Sequence, residues 1–464
     1  MNNLQSVQEG NPLANGAIGR LIAKFAIPAI IGGLISAAYN IADQIFIGQS
    51  VGLLGNAATN VAFPLVTISN SLALLFGVGS ASCFSLELGN NQKDKAAQVY
   101  GNGVTFILVC GFALFAVVLT FLKPLLLAFG ATEEVLPYAL IYTGITTFGI
   151  PFSMLSLGGG HLIRADGSPA YAMFATASGA ILNCFLDPLF IFVFNLGIAG
   201  AACATVTGQV ISALLVLYYV KKKFKTTKLE RRHFRPSFGR MKKLASLGAA
   251  SCFNQLAMSA VQITLNNTLR YFGGLSIYGN DIPLACVGVI SKVNVLFMAF
   301  VLGIAQGCQP VFGFNYGAKN YSRVRETYKK AVITVTTICV LSFLCFQLFP
   351  RQIVSIFSTG SELYFEFAEK YFRIYLLFTF INGIQPLTSN FFTSIGKAKL
   401  GIVMSLTRQI VFLLPLILIL PMFWGIDGVM YAGPIADAAA VILAACFALR
   451  EMKNMRALEI QGGN

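Results

Sequence analysis

Apolar positions in this chain run in long blocks, not in the short alternations or one-sided stripes of soluble domains, and such blocks follow one another from end to end. Each holds roughly 20 or more predominantly apolar residues, enough for a helix to cross a hydrocarbon core about 30 Å thick. The pattern predicts helical spans at 20–48, 57–88, 94–122, 135–163, 168–194, 197–220, 242–272, 283–314, 322–349, 363–393, 397–421 and 425–449. The connections leave no room for a sizeable soluble domain. The expected fold is an all-α integral membrane protein of twelve transmembrane helices.

The sequence also matches itself at a separation near 228 residues. Gly197-Ile-Ala-Gly200 and Gly425-Ile-Asp-Gly428 open spans six and twelve, Gly167-Ser-Pro-Ala170 and Gly396-Lys-Ala-Lys399 precede spans five and eleven, and Gly79 and Gly89 match Gly307 and Gly317. Three matches in the same order predict two pseudo-symmetric six-helix bundles, an N-lobe at 20–220 and a C-lobe at 242–449. A basic linker at 221–241 joins them, flanked by tails at 1–19 and 450–464. Six crossings return the chain to its starting side, so the halves are parallel repeats about an axis along the membrane normal. A cavity between two such bundles is a common transporter design.

Charge sharpens this picture. The chain is 56% hydrophobic and 11% charged, where an ordinary soluble domain carries about 25% charged residues. A net charge of +15 would suggest nucleic acid in a soluble protein, but 26 of the 33 Lys and Arg fall in the tails, the even-numbered connections and their flanks. That sorting places both termini in the cytoplasm. The run from Lys221 to Lys243 holds 11 basic residues and is expected to serve as topology signal and linker, with attraction to anionic lipid headgroups as a side effect. Met1 to Gly19 lacks the basic start and small-residue cleavage site of a secretory leader and reads as a cytoplasmic tail. The ten cysteines show no metal or redox spacing and are expected to pack in a reduced setting.

Enzyme signatures are missing: there is no phosphate-binding loop and no H-E-x-x-H, and the only histidines are His161 and His233. The informative residues are acids inside spans, where an ionised carboxylate costs about 2.5–3.5 kcal/mol and needs a partner, a water-filled cavity or a proton. Asp43 lies in Tyr39-Asn40-Ile-Ala-Asp43-Gln44 of span one, and Asp187 in Asn183-Cys-Phe-Leu-Asp187-Pro188 of span five. Asn183 and Asp187 share a helix face, and Pro188 frees a carbonyl one turn earlier. Both acids belong to the same half, so the functional reading is one low-dielectric cavity that exchanges a proton for a cation; the structural alternative is that they cap or glue helices. Asp437, in Gly433-Pro434-Ile-Ala-Asp437, has Gln209 as its counterpart in the first half, and packing and functional roles both stay open. Glu87 reads as an interfacial ion-pair partner, while Lys292 and Arg408 pair with an acid or snorkel. Some of the 40 Phe and 16 Tyr could hold aromatic or cationic compounds.

Several of these features together resemble the multidrug and toxic compound extrusion (MATE) family of the MOP flippase superfamily. They are the two six-helix halves, Pro28 fifteen residues before Asp43, Asn183-x-x-x-Asp187-Pro188, Gly197-x-x-Gly200, and Pro310-x-x-x-x-Asn315-Tyr316-Gly317-Ala318. The resemblance implies a V-shaped pair of bundles in a cell membrane that exports organic cations and other amphipathic drugs in exchange for H⁺ or Na⁺ by alternating access. It implies a cation site of Asp43, Asn183, Asp187 and Thr205, with Thr207 a neighbour and Pro28 and Pro188 as bending points; Tyr39, Asn40 and Asp437 are further candidates for substrate or coupling neighbours from their own positions. No cofactor or metal beyond Na⁺ is expected, and the sequence itself leaves the oligomeric state open, with a monomer as the expectation. The family branch with acids in spans seven and ten matches less well, because those spans here offer Asn254, Gln255, Asn382 and Gln385. Coupling is therefore expected in the amino half. Two other readings are a flippase for a lipid-linked cargo, disfavoured by the few Lys and Arg within spans, and a membrane-embedded aspartyl-type enzyme, disfavoured by the lack of glycine motifs around the acids.

Overall fold

The computed structural model describes residues 12–279, 281–357 and 361–462, and almost all of them are helical. After a short turn at Pro12–Asn15 come α1 (Ile18–Val51), α2 (Leu53–Gly89) and α3 (Lys93–Thr120). Next are α4, in two segments (Leu136–Thr147 and Ile150–Ala165), α5 (Pro169–Pro188, continued by a π-helical turn at Leu189–Val193) and α6 (Gly197–Lys222). The second half comprises α7 (Phe238–Gly274), α8 (Asp281–Gly317), α9 (Tyr321–Leu348) and α10 (Glu362–Tyr375, Thr379–Asn382 and Ile384–Ser394). It ends with α11 (Ala398–Leu406, a π-helical stretch Thr407–Leu413, and Leu414–Trp424) and α12 (Ile426–Gly462). Among the described residues ten helices are long and apolar enough to cross a membrane, and eleven when the two segments of α4 count as one span. The twelfth crossing is the broken α10. It is less apolar because its polar side chains bond neighbouring helices: Gln385 donates to the Met404 carbonyl, Thr388 meets the Tyr328 hydroxyl, and Ser389 meets Ser405.

Element ends extend beyond the apolar blocks. Helix α12 runs well past the expected end at 449, because Met455 is buried and the ion pairs Lys397–Glu451 and Arg325–Glu459 tie the overhang to α11 and α9. Most of the expected tail at 450–464 is therefore helix, with 463–464 outside the described residues. In the linker, α6 continues to Lys222, a 3₁₀ turn spans Arg231–Phe234, and α7 begins at Phe238. Residues 1–11 of the expected amino-terminal tail also lie outside the described residues.

The internal repeat is visible in the backbone. Residues with positive φ recur as Gly52 and Gly279, Asn91 and Lys319, Gly167 and Gly396, and Gly197 and Gly425, each pair 227 to 229 positions apart. Gly197 and Gly425 reverse the chain at the entries to α6 and α12 with φ of 54° and 58°, a conformation glycine adopts without a Cβ penalty. The matched glycines thus mark matched turns.

Each half has its own hydrophobic core, but the cores exchange material. Ile18, Ile22 and Ala26, from the first turns of α1, belong to the C-lobe core, and Leu244 and Leu247, from the first turns of α7, belong to the N-lobe core. The segments before these helices cross over as well. Asn315 and Arg323 donate to the carbonyls of Leu13 and Gly16, at 3.1 and 2.7 Å, while Asn102 and Thr105 of α3 donate to the carbonyls of His233 and Phe234. The two crossovers clasp the lobes on the face that carries both ends of the described chain.

Lobe contact is concentrated toward this terminal face. Helix α1 lies along α8 through Ala26–Gly307, Ile30–Gly303 and Gly33–Ala299, and α2 lies along α7 through Gly79–Leu244 and Leu75–Gly248. Backbones can approach this closely only where side chains are small. Gln309 of α8 adds hydrogen bonds to the Val78 carbonyl and Ser82 of α2. The contacts reach mid-depth at Thr67–Ser259, 3.4 Å apart. Farther out, Gln44 of α1 and Gln262 and Asn266 of α7 are exposed. Amides at this depth require water and not lipid around them, so the V opens toward the far face.

Candidate functional site

Helices α1, α2, α4, α5 and α6 enclose a cavity of about 320 Å³ within the N-lobe. Two local features of the sequence shape it. First, α4 bends by 54° between its segments, where Gly149 leaves room for the Gln209 side chain that lies directly against it. Second, Gly179 of α5 and Gly208 of α6 bring their backbones together so closely that a Cβ on either would overlap the other helix. That approach sets Asn183 beside Thr205, with Nδ2 3.4 Å from the threonine hydroxyl. Tyr39, Asn40, Tyr142, Asn183, Thr205 and Gln209 line the cavity, and its lining includes no charged residue.

The acids lie one helical turn beyond the lining, Asp43 past Tyr39 and Asp187 past Asn183. Asp187 is fully buried, and Asn183 donates to its Oδ1 at 3.2 Å. The carboxyls of Asp43 and Asp187 are within hydrogen-bonding reach of one another. Asp43 Oδ1, Asp187 Oδ2, Asn183 Oδ1 and Gln209 Oε1 are all buried acceptors without a donor. Facing carboxyl oxygens repel unless a proton or cation stands between them, and the oxygens of Asp43, Asp187 and Asn183 make an oxygen-only set that suits a hard cation. Helix α5 leaves α-helical geometry just after Asp187, because Pro188 has no N–H to continue the ladder and a π-helical turn follows.

The structure brings Asp43, Asn183, Asp187 and Thr205 together, with Tyr39 and Asn40 in the adjoining cavity wall. Thr207 instead turns to its own helix, donating to the Cys203 carbonyl at 2.8 Å. Helix α1 passes Pro28 as one continuous element. Gln209 and Tyr142 went unrecognised in the sequence. Gln209 carried a usable signal, since the 228-residue offset pairs it with Asp437; Tyr142 had none, because an aromatic in an apolar span is commonplace.

Asp437 belongs to a different setting in the C-lobe. Arg408, in the π-helical stretch of α11, donates through Nε to Asp437 Oδ1 at 2.6 Å, and Asp437 is 5% exposed. Two potential site residues therefore satisfy each other, which favours the packing role. Removing one partner of a buried pair strands the other charge at a cost of about 3–5 kcal/mol. Asp437→Asn is thus expected to lower the thermal midpoint of the purified protein sharply, with Arg408→Met/Asp437→Leu recovering most of the loss. An unchanged midpoint with transport abolished would move Asp437 into the transport machinery.

Comparison with known proteins agrees with this architecture. The MatE family model matches residues 28–189 and 250–419, once in each lobe. The chain is 24% identical over 428 residues to the multidrug export protein MepA of Staphylococcus haemolyticus, covering 92% of each chain. It is likewise 24% identical over 420 residues to MepA of Staphylococcus aureus. Among solved structures it superposes on an outward-facing multidrug resistance MATE family transporter of the MOP superfamily with a TM-score of 0.90 at 24% identity, covering 97% of this chain and 99% of the other. A MOP superfamily transporter from Pyrococcus furiosus gives a TM-score of 0.89 at 24% identity, covering 96% and 98%. With both lobes matched, the chain belongs to the MatE family, the multidrug and toxic compound extrusion (MATE) transporters.

Proposed function

We propose that this protein is a secondary antiporter of the cell membrane, with both termini cytoplasmic, that expels cationic and other amphipathic drugs in exchange for H⁺ or Na⁺. The observation that carries the proposal is the apposition of Asp43 and Asp187 at the end of the N-lobe cavity. A proton or Na⁺ arriving from the open far face satisfies the facing oxygens and draws α1 and α5 together. Substrate in the adjoining cavity is then released outward, and the ion-loaded protein turns inward. Tyr39 and Tyr142 offer aromatic faces to a lipophilic cation. The cavity volume falls at the lower end of the range for drug-sized ligands. The lack of Lys and Arg in the lining disfavours a phosphorylated lipid-linked cargo, whose headgroup would need cationic partners.

Efflux of a fluorescent lipophilic cation from proteoliposomes, with H⁺ and Na⁺ gradients imposed separately, tests the reading. Wild-type protein is expected to respond to at least one gradient. Folded protein that responds to neither would overturn coupled drug export.

A further inference from the structure

A second cavity, of about 490 Å³, lies on the terminal face, outside the coupling site. Its walls come from the first turns of α1, the turn between α4 and α5, and the end of α6. Three lysines border it: Lys24 from α1, and Lys223 and Lys225 from the chain leaving α6. Lys223 Nζ sits 4.9 Å from the centre of the Tyr171 ring, which holds the ammonium at the pocket. Lys225 Nζ donates to the Gly167 carbonyl at 3.3 Å and keeps its other donors available. The nearby carboxylate, Asp166, is buried behind the wall and occupied: its oxygens accept from the Tyr219 hydroxyl, the Lys225 backbone N–H and the Thr226 hydroxyl, and its charge offsets only that of Lys225. Among the described residues no carboxylate forms an ion pair with any of the three lysines. Three like charges around one cavity repel unless an anion joins them.

The cavity continues into an apolar surface. On α1 the exposed positions following Lys24 at helical spacing are Ile27 and Ile31, 53% and 40% exposed, and Phe174 of α5, one turn above Ala170 of the pocket, is 55% exposed. A free inorganic anion has no use for such a surface, whereas a phospholipid needs cationic donors at the interface and an apolar wall beneath them. Basic pockets between transmembrane helices at a membrane interface recognise anionic headgroups in this way.

We propose that this pocket binds the phosphodiester headgroup of an anionic phospholipid, with Lys24, Lys223 and Lys225 around the phosphate and the acyl chains along Ile27, Ile31 and Phe174. Binding of short-chain phosphatidylglycerol, short-chain phosphatidylcholine and inorganic phosphate to the full-length detergent-purified protein tests it, by native mass spectrometry. Phosphatidylglycerol is expected to bind at least about tenfold more tightly than phosphatidylcholine, and Lys24→Gln/Lys223→Gln/Lys225→Gln to remove that preference. Lys228→Gln/Arg235→Gln, which takes positive charge from the same linker outside the pocket, is expected to keep it. If the triple variant does not fold, Lys24→Gln and Lys223→Gln singly are each expected to reduce the preference severalfold. Equal loss in the pocket and linker variants would overturn the site in favour of general charge attraction. Inorganic phosphate competing at the lipid's own concentration would overturn the lipid assignment in favour of a free-phosphate site.

Discussion

Asp187→Asn is expected to reduce gradient-driven efflux by at least about tenfold while the protein folds, reaches the membrane and still binds drug. The amide can accept from Asn183 as the carboxylate does, so local packing survives the change. It cannot take up or release a proton, and it offers a cation no full charge. Asp43→Asn is expected to do the same from the opposing helix. Residues that act as one unit give non-additive effects. The double variant should therefore be no worse than either single one, the reverse of what two independent binding contacts would produce. The measurement is initial rate against imposed gradient for wild type, both single variants and the double variant, with drug affinity determined separately. A double variant that still moves drug uphill at the wild-type rate would sink the coupling role of this pair.

The second large effect is expected at the seal between lobes. Gly248 of α7 packs against the Leu75 carbonyl of α2, and Gly79 of α2 packs against the Leu244 carbonyl of α7, so closely that a Cβ at either position would overlap backbone. Gly248→Val should push α7 off α2 and destabilise the arrangement in which the terminal face is closed. Overpacking costs about 1–3 kcal/mol, and a bias of that size shifts a two-state equilibrium roughly 5- to 150-fold. Because Leu244 and Leu247 beside Gly248 sit in the N-lobe core, part of the cost should fall on folding, read as a lower thermal midpoint, and the rest on the conformational equilibrium. Spin labels across the terminal face should report longer distances, and transport should fall because one end of the cycle is disfavoured. Unchanged distances and normal turnover would show that the glycine contacts are incidental.

The opposite outcomes for Asp187 and Asp437 show where sequence reasoning succeeds and where it stops. Both are single acids inside apolar spans, and the cost of burying charge marks both as needing a partner. For Asp187 the partner on its own helix, Asn183, was legible from the four-residue spacing. Its cross-helix neighbour Asp43 depends on how α1 docks on α5, and Thr205 meets Asn183 only because α6 packs against α5. For Asp437 the partner is Arg408, 29 positions away on the preceding helix, and no local spacing announces such a pair. Thr207 illustrates the same limit on a smaller scale: it lies two residues from Thr205, which places its side chain on another face of the helix.

Span count and internal repeat were open to direct reading, because the demands of lipid act on each segment separately: a helix must satisfy its own backbone and present apolar side chains over a fixed length. The repeat was written in the glycines that turn the chain or let helices touch, so it survived where other side chains had diverged. The crossed clasps at Leu13–Asn315 and His233–Asn102, the N-lobe cavity behind the bend of α4, and the direction in which the V opens were decided only by tertiary structure. Each depends on which helix faces come together, and between segments that are apolar all round the choice is made by a few small residues and polar pairs distant in sequence.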